Sequence, residues 1–233
     1  MATLLLRLAA PMQSWGMDSK FEIRKTNREP TKSGVVGLLA AALGLRRDDE
    51  ESLGRLNRLR FGVRVDQEGR LLADYQTVKK VGKSKSENKS YVTWRYYLAD
   101  AIFLVGLESD NMAFLKELWT ALQHPVFPLF LGRRSCPPTL PVCLGIHEET
   151  LEQALRKEPS LLPAWKNREE MPVRLVLDAA PMEPGSVYRQ DLPVSFSPLH
   201  RQFGYRTVRE EMVTVSEAVA ATQHDPFAEL GDD

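Results

Sequence analysis

The stretch that most constrains this chain runs from residue 26 to residue 45, TNREPTKSGVVGLLAAALGL. Its second half, about residues 33–45, is apolar on nearly every face and predicts a helix that must be buried. Its first half is polar and basic, with Pro30 and the candidate hydroxyl caps Thr31 and Ser33 just ahead of the apolar run. A buried beam therefore starts at a mouth carrying Arg28, Thr31, Lys32 and Ser33. Unsatisfied backbone N–H groups and the helix dipole favour an anion there, by about 0.3–1 kcal/mol at an exposed site. The Lys32-Ser33 pair does not belong to a nucleotide-phosphate loop, because Thr26 and Thr31 stand where a Walker A pattern needs glycine.

Ahead of this stretch, residues 3–10 read as a buried first strand ended by Pro11, and Gln13-Ser14-Trp15-Gly16 as a loop with an aromatic tip. Trp15 is either a core plug or a platform for a flat base. Residues 19–29 allow a short strand in which Phe21 and Ile23 alternate with Glu22 and Arg24. Beyond the beam, residues 51–59 suit a short helix, and residues 61–65 and 71–78 read as two strands of one hairpin about a turn at 66–69.

The most unusual segment follows. From Lys79 to Arg95 there are six basic residues, Lys79, Lys80, Lys83, Lys85, Lys89 and Arg95, against the single acid Glu87. Its middle is too polar to fold alone, which predicts that it is not ordered without a partner. Tyr75 flanks it on one side and Tyr91, Trp94, Tyr96 and Tyr97 on the other. A basic hairpin with an aromatic base is what single-stranded nucleic acid binding needs; a solvated loop is the plainer alternative.

Residues 101–107 read as a buried strand, and Asp110 or Asn111 can cap a helix to residue 123 whose Phe114, Leu115, Leu118, Trp119 and Leu122 face the core. With a closing strand at 142–146, the order predicts an α+β fold, a β-α-β-β-α-β ferredoxin-like (RRM-like) domain over residues 1–147 with a basic hairpin inserted at about 76–94. Between helix and closing strand, Gly132-Arg133-Arg134-Ser135 lies among five prolines and can present two guanidinium forks to phosphates, or form a turn whose arginines meet acids. Residues 148–215 are expected to form an acidic, helix-leaning connector (148–170), a strand at 173–177, a loop-rich stretch at 186–209 with Arg189, Arg201, Arg206 and Arg209, and a last strand at 212–215. The acidic tail 216–233 is expected to fray.

The net charge is zero, but residues 1–100 hold 19 lysines and arginines against 12 acids, and residues 101–233 the reverse. A polyanion would meet the first half. No apolar run is long enough to span a bilayer. Cys136 and Cys143 lack CxxC spacing and read as reduced thiols of a cytoplasmic protein. None of His124, His147, His200 and His224 has metal-ligand spacing, there is no G-x-S-x-G elbow, and nothing in the sequence calls for a cofactor or for catalysis.

Five pieces in order carry a resemblance: Leu6-Arg7-Leu8-Ala9 to Pro11-Met12-Gln13-Ser14-Trp15-Gly16; Pro30-Thr31-Lys32-Ser33-Gly34 leading into the beam; Asp74-Tyr75-Gln76-Thr77-Val78; Thr93-Trp94-Arg95-Tyr96-Tyr97-Leu98; and Leu131-Gly132-Arg133-Arg134-Ser135-Cys136-Pro137. Together they resemble the CasD family, the small RAMP-type subunits of the type I-E CRISPR surveillance complex Cascade. The resemblance is strong over residues 1–145 and loose beyond. It implies a ferredoxin-like domain with a thumb hairpin, a subunit that caps the backbone filament formed by CasC, grips the 5′ handle of the crRNA, abuts the large subunit CasA, and meets target DNA only through the complex. It implies no active site. The RNA-binding residues expected on these grounds are Gln13, Ser14, Trp15, Arg24, Arg28, Thr31, Lys32, Ser33, Tyr75, Lys79, Lys80, Lys83, Lys85, Lys89, Trp94, Arg95, Arg133, Arg134 and Ser135.

Two other classes compete. In the I-C branch of the family the equivalent protein is a metal-independent endoribonuclease using a tyrosine with a lysine-histidine pair; this sequence has no Lys-His dipeptide, which leaves Tyr75 without a placed imidazole. A protein adaptor with no RNA contact is disfavoured by the charge segregation.

Overall fold

The computed structural model describes residues 1–16, 22–80, 89–139, 141–163, 172–197 and 199–215. The expectations for Phe21, for Lys83 and Lys85 at the hairpin tip, for the end of the acidic connector and for the tail at 216–233 lie outside the described residues.

The elements in chain order are β1 (Ala2–Ala9), β2 (Met12–Gln13), β3 (Ile23–Arg24), α1 (Lys32–Leu43), α2 (Glu50–Asn57), β4 (Arg60–Gln67), β5 (Arg70–Lys80), β6 (Lys89–Ala99), β7 (Ile102–Ser109), α3 (Met112–Gln123), β8 (Cys143–His147), α4 (Leu151–Lys157), β9 (Val173–Asp178), β10 (Val187–Ser195) and β11 (Gln202–Val213). The fold is α+β. Seven strands form one antiparallel sheet in the order β10-β11-β9-β4-β7-β1-β8. A smaller sheet is centred on β6, which pairs with β5 on one side and with β2 and β3 on the other.

Burial of both faces of the large sheet explains its composition. Along β1, Leu4, Leu6 and Leu8 join the core under α1, α2 and α3, while Leu5 points to the opposite face and packs with Leu104, Leu151, Leu155, Leu175 and Leu177 beneath α4. Helix α4 can sit that close because Gly62 and Gly106 are cross-strand partners. A Cβ on Gly106 would stand 2.6 Å from Leu151, and one on Gly62 2.8 Å from Leu155. Thr150 and Gln153 make a capping box at the start of α4. At its other end the buried Arg64 guanidinium donates to the carbonyls of Leu155, Glu158 and Pro159, and is paired with Asp66 at 2.6 Å. A cation there satisfies carbonyls that the helix leaves open.

Helix α1 is the apolar beam. Thr31 caps it by accepting from Gly34 N–H at 3.1 Å, and Gly44 ends it in a left-handed conformation (φ 74°). The expected mouth is not open to solvent. The Lys32 backbone N–H donates to the Asp191 carboxylate at 2.9 Å, and Lys32 Nζ meets Asp178 at 3.1 Å. Arg206 lies between the two acids, 2.6 Å from each, with its guanidinium 5.0 Å from the centroid of the Phe61 ring. Asp178 also accepts from the Phe61 N–H at 2.9 Å. Burial works against the charge on Arg206, but the contacts with Asp191 and Asp178 outweigh it and raise the Arg206 pKa above its ordinary value.

Two strand readings need correction. Residues 61–65 and 71–78 do not pair with one another: β4 lies between β7 and β9 in the large sheet, whereas β5 pairs with β6 in the small one. Alternation could not separate these cases, because β4 is buried on both faces and β5 is largely exposed. Nor is 186–209 loop-rich. It holds most of the β10–β11 hairpin, whose Pro193 is tolerated because β10 is the outermost strand and its pairing shifts there. The strands beyond residue 148 extend the same sheet through β9 and β4 rather than forming a second layer.

Removing Asp191 would leave Arg206 short of a partner and the start of α1 uncompensated. Asp191→Ala is therefore expected to lower the unfolding free energy by about 3–5 kcal/mol, read by urea denaturation with circular dichroism. A loss below about 1 kcal/mol would mean that the cluster behaves as an exposed pair.

Candidate nucleic-acid interface

Many of the residues expected to hold RNA form a clamp beneath the surface. Gln13 is fully buried; its side-chain amide donates to the carbonyls of Leu8 at 3.1 Å and Ala101 at 2.8 Å, and its Oε1 accepts from Trp15 Nε1 at 3.1 Å. Trp15 is 1% exposed and stacks in the core against α1, where a Cβ on Gly34 would come within 2.8 Å of its ring. The core plug is the correct alternative, and the reading of Trp15 as a base platform is corrected. Trp15 N–H donates to Thr26 Oγ1 at 2.9 Å, and its carbonyl accepts from both nitrogens of Asn27. Ser14 Oγ donates to the Tyr96 carbonyl at 3.1 Å.

The turn after Leu131 is locked onto the same loop. Ser14 N–H donates to the Leu131 carbonyl at 3.1 Å, and Leu131 N–H to the Cys136 carbonyl at 2.7 Å. Gly132 has φ 82°, and a Cβ there would lie 1.7 Å from the Ser14 carbonyl oxygen. Only glycine fits, on both counts. Arg133 then points back across the small sheet, with its guanidinium 4.6 Å from the Tyr97 ring centroid and donating to the Arg24 carbonyl at 2.8 Å. Arg134 and Ser135 are exposed. Burial raises the Cys136 and Cys143 thiols, so both are protonated at neutral pH.

Five of the expected contact residues are thus turned inward or closed off besides Trp15. Gln13, Ser14, Thr31, Lys32 and Ser33 are buried, and Lys32 is neutralised by Asp178. Their polar groups bind the protein itself; for Lys32 the sequence could not reveal this, because its partners Asp178 and Asp191 lie far along the chain. Arg28 stays exposed, 3.5 Å from Glu68, at the rim of a cleft of about 370 Å³ that also includes Asn27, Tyr188 and Gln190. Deeper in that cleft Glu29 is held by Arg174 and Arg189, and Glu210 by the same two arginines, so its charges already balance.

What remains at the surface forms a basic, aromatic ribbon. Tyr75 and Trp94 are cross-strand partners on β5 and β6, with ring centroids 5.0 Å apart at 67°, and are 54% and 41% exposed. Ile23 on β3 is in register with Trp94, so three exposed apolar side chains share one face of the small sheet. The opposite face carries the row Arg24, Arg95, Asp74. Lys79 and Lys80 continue along β5, Lys80 opposite Lys89, towards the hairpin end. Ile23 and the exposed Lys25 escaped sequence reasoning; the alternation of Ile23 with Glu22 and Arg24 was visible, but its pairing with Trp94 is long-range.

Among the described residues no group of three or more histidines, cysteines or carboxylates could hold a metal ion. No described helix is long and apolar enough to cross a membrane.

The chain is similar to several known proteins. The chain is 42% identical over 156 residues to the CRISPR system Cascade subunit CasD of Escherichia coli (strain K12), covering 61% of this chain and 70% of the relative. It is similar to a solved structure described as a crystal structure of a Cas protein, with TM-score 0.71 and 43% identity over 93% of this chain and 98% of the other. It is also similar to a chain of a CRISPR RNA-guided surveillance complex, with TM-score 0.76 and 31% identity over 91% of this chain and 90% of that one. A sequence model of the family described as CRISPR-associated protein (Cas_Cas5) matches residues 3–209, and the chain belongs to that family.

Proposed function

We propose that this chain is the non-catalytic, guide-RNA-binding subunit of a type I-E CRISPR surveillance complex, gripping the 5′ handle of the crRNA at one end of the backbone filament, beside a CasC subunit and the large subunit CasA. The likeness to a Cascade subunit and to a chain of an RNA-guided surveillance complex supports membership. The observation that carries the RNA role is the exposed Tyr75–Trp94 pair, on the β5–β6 hairpin that also carries Lys79, Lys80 and Lys89. Exposed aromatic side chains on a strand pair that also carries ammonium groups suit unstacked bases and their phosphates.

We read β1, α1, β4, β7, α3 and β8 as the ferredoxin-like domain of residues 1–147. The local order β4-β7-β1-β8, with β7 antiparallel to both β1 and β4, supports this. The β5–β6 hairpin is the thumb in this reading, residues 148–215 are the C-terminal part, and the assembly works in the cytoplasm on target DNA. Phosphate contacts come from Arg24, Arg28, Arg95, Arg134 and the hairpin lysines, with Ser135 beside them. Arg133 acts mainly by fixing Arg24 and Tyr97. Gln13, Ser14 and Trp15 act by placing the loops.

Three outcomes are expected. Tyr75→Ala should weaken binding of repeat-derived single-stranded RNA by about 1–3 kcal/mol in fluorescence anisotropy, with no change in melting temperature; unchanged affinity would remove the aromatic pair from the interface. Gly132→Ala should disturb the turn and reduce both thermal stability and RNA affinity, although the residue has no side chain to contact RNA. The purified chain incubated with repeat RNA in EDTA should give no site-specific multiple-turnover cleavage, and sustained cleavage would overturn the non-catalytic reading in favour of the endoribonuclease.

A further inference from the structure

Arg174 belongs to the part of the chain beyond residue 148, yet its side chain reaches back to both segments that carry the exposed cations. It sits on β9 as the cross-strand partner of Val65 on β4 and of Met212 on β11. Three residues past Val65, in the turn from β4 into the β5–β6 hairpin, lies Glu68. The Arg174 guanidinium forks that carboxylate, with Nε donating to Oε1 at 2.9 Å and Nη2 to Oε2 at 3.2 Å. Its Nη2 also donates to Glu29 Oε2 at 2.9 Å, in the loop that carries Arg28.

Glu68 is a shared acceptor, because the same Oε2 also faces Arg28 Nη2 at 3.5 Å. The two arginines are unlike. The Arg174 side chain is 14% exposed and that of Arg28 77%, so only Arg28 can meet a strand lying on the surface. Burial works against the charge on Arg174, but its contacts with Glu68 and Glu29 outweigh this and raise its pKa above the ordinary value. It therefore stays charged and keeps hold of Glu68. A forked guanidinium–carboxylate pair is the strong form of this contact, and a single long approach between exposed groups is the weak one. While Arg174 occupies Glu68, Arg28 gives up little in turning to a phosphate. Without Arg174, Glu68 would offer both oxygens to Arg28 and compete with that phosphate.

We infer that Arg174 is a positioning residue of the RNA site: it holds Glu68 away from Arg28 and so leaves Arg28 to neutralise a phosphate. The inference rests on the proposed RNA role. Arg189, the other arginine deep in the cleft, meets Glu29 and Glu210 instead. Strand β9 thereby serves a contact made by a residue far earlier in the chain.

The test is the salt dependence of binding, measured with the full chain and repeat-derived single-stranded RNA in anisotropy titrations. Arg28→Gln is expected to lower the magnitude of the log–log salt slope by about 0.7, the value of one phosphate contact on a single strand. Arg174→Gln should lower it by the same amount without itself touching RNA, and the double variant should show no further fall. Adding Glu68→Gln to Arg174→Gln should restore the wild-type slope, because the competing carboxylate is gone. Loss of a purely structural ion pair would not be repaired in this way. Arg174→Lys keeps the charge but not the fork; it should shift the slope in the same direction and also be repaired by Glu68→Gln, which covers the case in which Arg174→Gln does not fold. The control Arg156→Gln removes an arginine paired with Glu152 and Glu211, and should leave the slope unchanged. An unchanged slope in the Arg174 variants, falls that add in the double variant, or no repair by Glu68→Gln would each overturn the positioning role. If Arg28→Gln is silent while Tyr75→Ala still weakens binding, the inference falls and the RNA reading stands. If the wild-type chain binds no RNA, both fall.

Discussion

The start of α1 is where the architecture is decided. An apolar helix driven into the core brings its N-terminal dipole and Lys32 with it, and both must be neutralised away from water. Two carboxylates do this, Asp178 from the end of β9 and Asp191 from β10, with Arg206 of β11 as the balancing fourth charge. One cluster thereby ties the first-half helix to three strands of the second half and, through Phe61 N–H, to the beginning of β4. The large sheet continues across what the sequence suggested was a boundary because this electrostatic demand is met from its far side.

A surface able to receive RNA is the by-product of a second, smaller lock. Gln13, Ser14 and Trp15 satisfy one another and the carbonyls around them, and Gly132 lets the 131–136 turn close upon Ser14 without room for a methyl group. Arg133 reaches over Tyr97 to the backbone of Arg24. The backbone of Arg24 is thereby held by residues that are themselves buried or hydrogen-bonded within the protein. This division is familiar where a binding surface must be rigid: groups that touch the partner are few, and those that orient them are buried and hydrogen-bonded.

Elements with a strong local signal were legible in the sequence: the beam of α1, the Asn111-capped α3, the buried β1 and β7, and the basic hairpin with its aromatic flank. Three features were not, each for a physical reason. The partnership of β4 depended on long-range burial, since alternation states which face is apolar but not which neighbour covers it. The strands β10 and β11 were hidden by arginines, a proline and polar residues that are satisfied only when Glu29, Asp178 and Glu210 arrive. The residues at the mouth of α1 looked like a ligand site because an intramolecular carboxylate and a phosphate make the same demand on a helix start. Arg24, Tyr75, Lys79, Lys80, Lys89, Trp94 and Arg134 were both foreseen and exposed, because exposed polar and aromatic side chains on a ribbon need no distant partner to be there.

The lock between Ser14 and Leu131 also orders events in time. A nascent chain emerges from its N-terminus, so the loop at 13–16 is made long before the turn that pins it, and Lys32 waits longer still for Asp178 and Asp191. Until the ribosome has delivered most of the chain, Arg24 is unanchored and the beam's charged end is unmatched. A truncated product would therefore carry the basic residues without the contacts that fix their positions. The fixed arrangement of these groups is thereby confined to finished molecules.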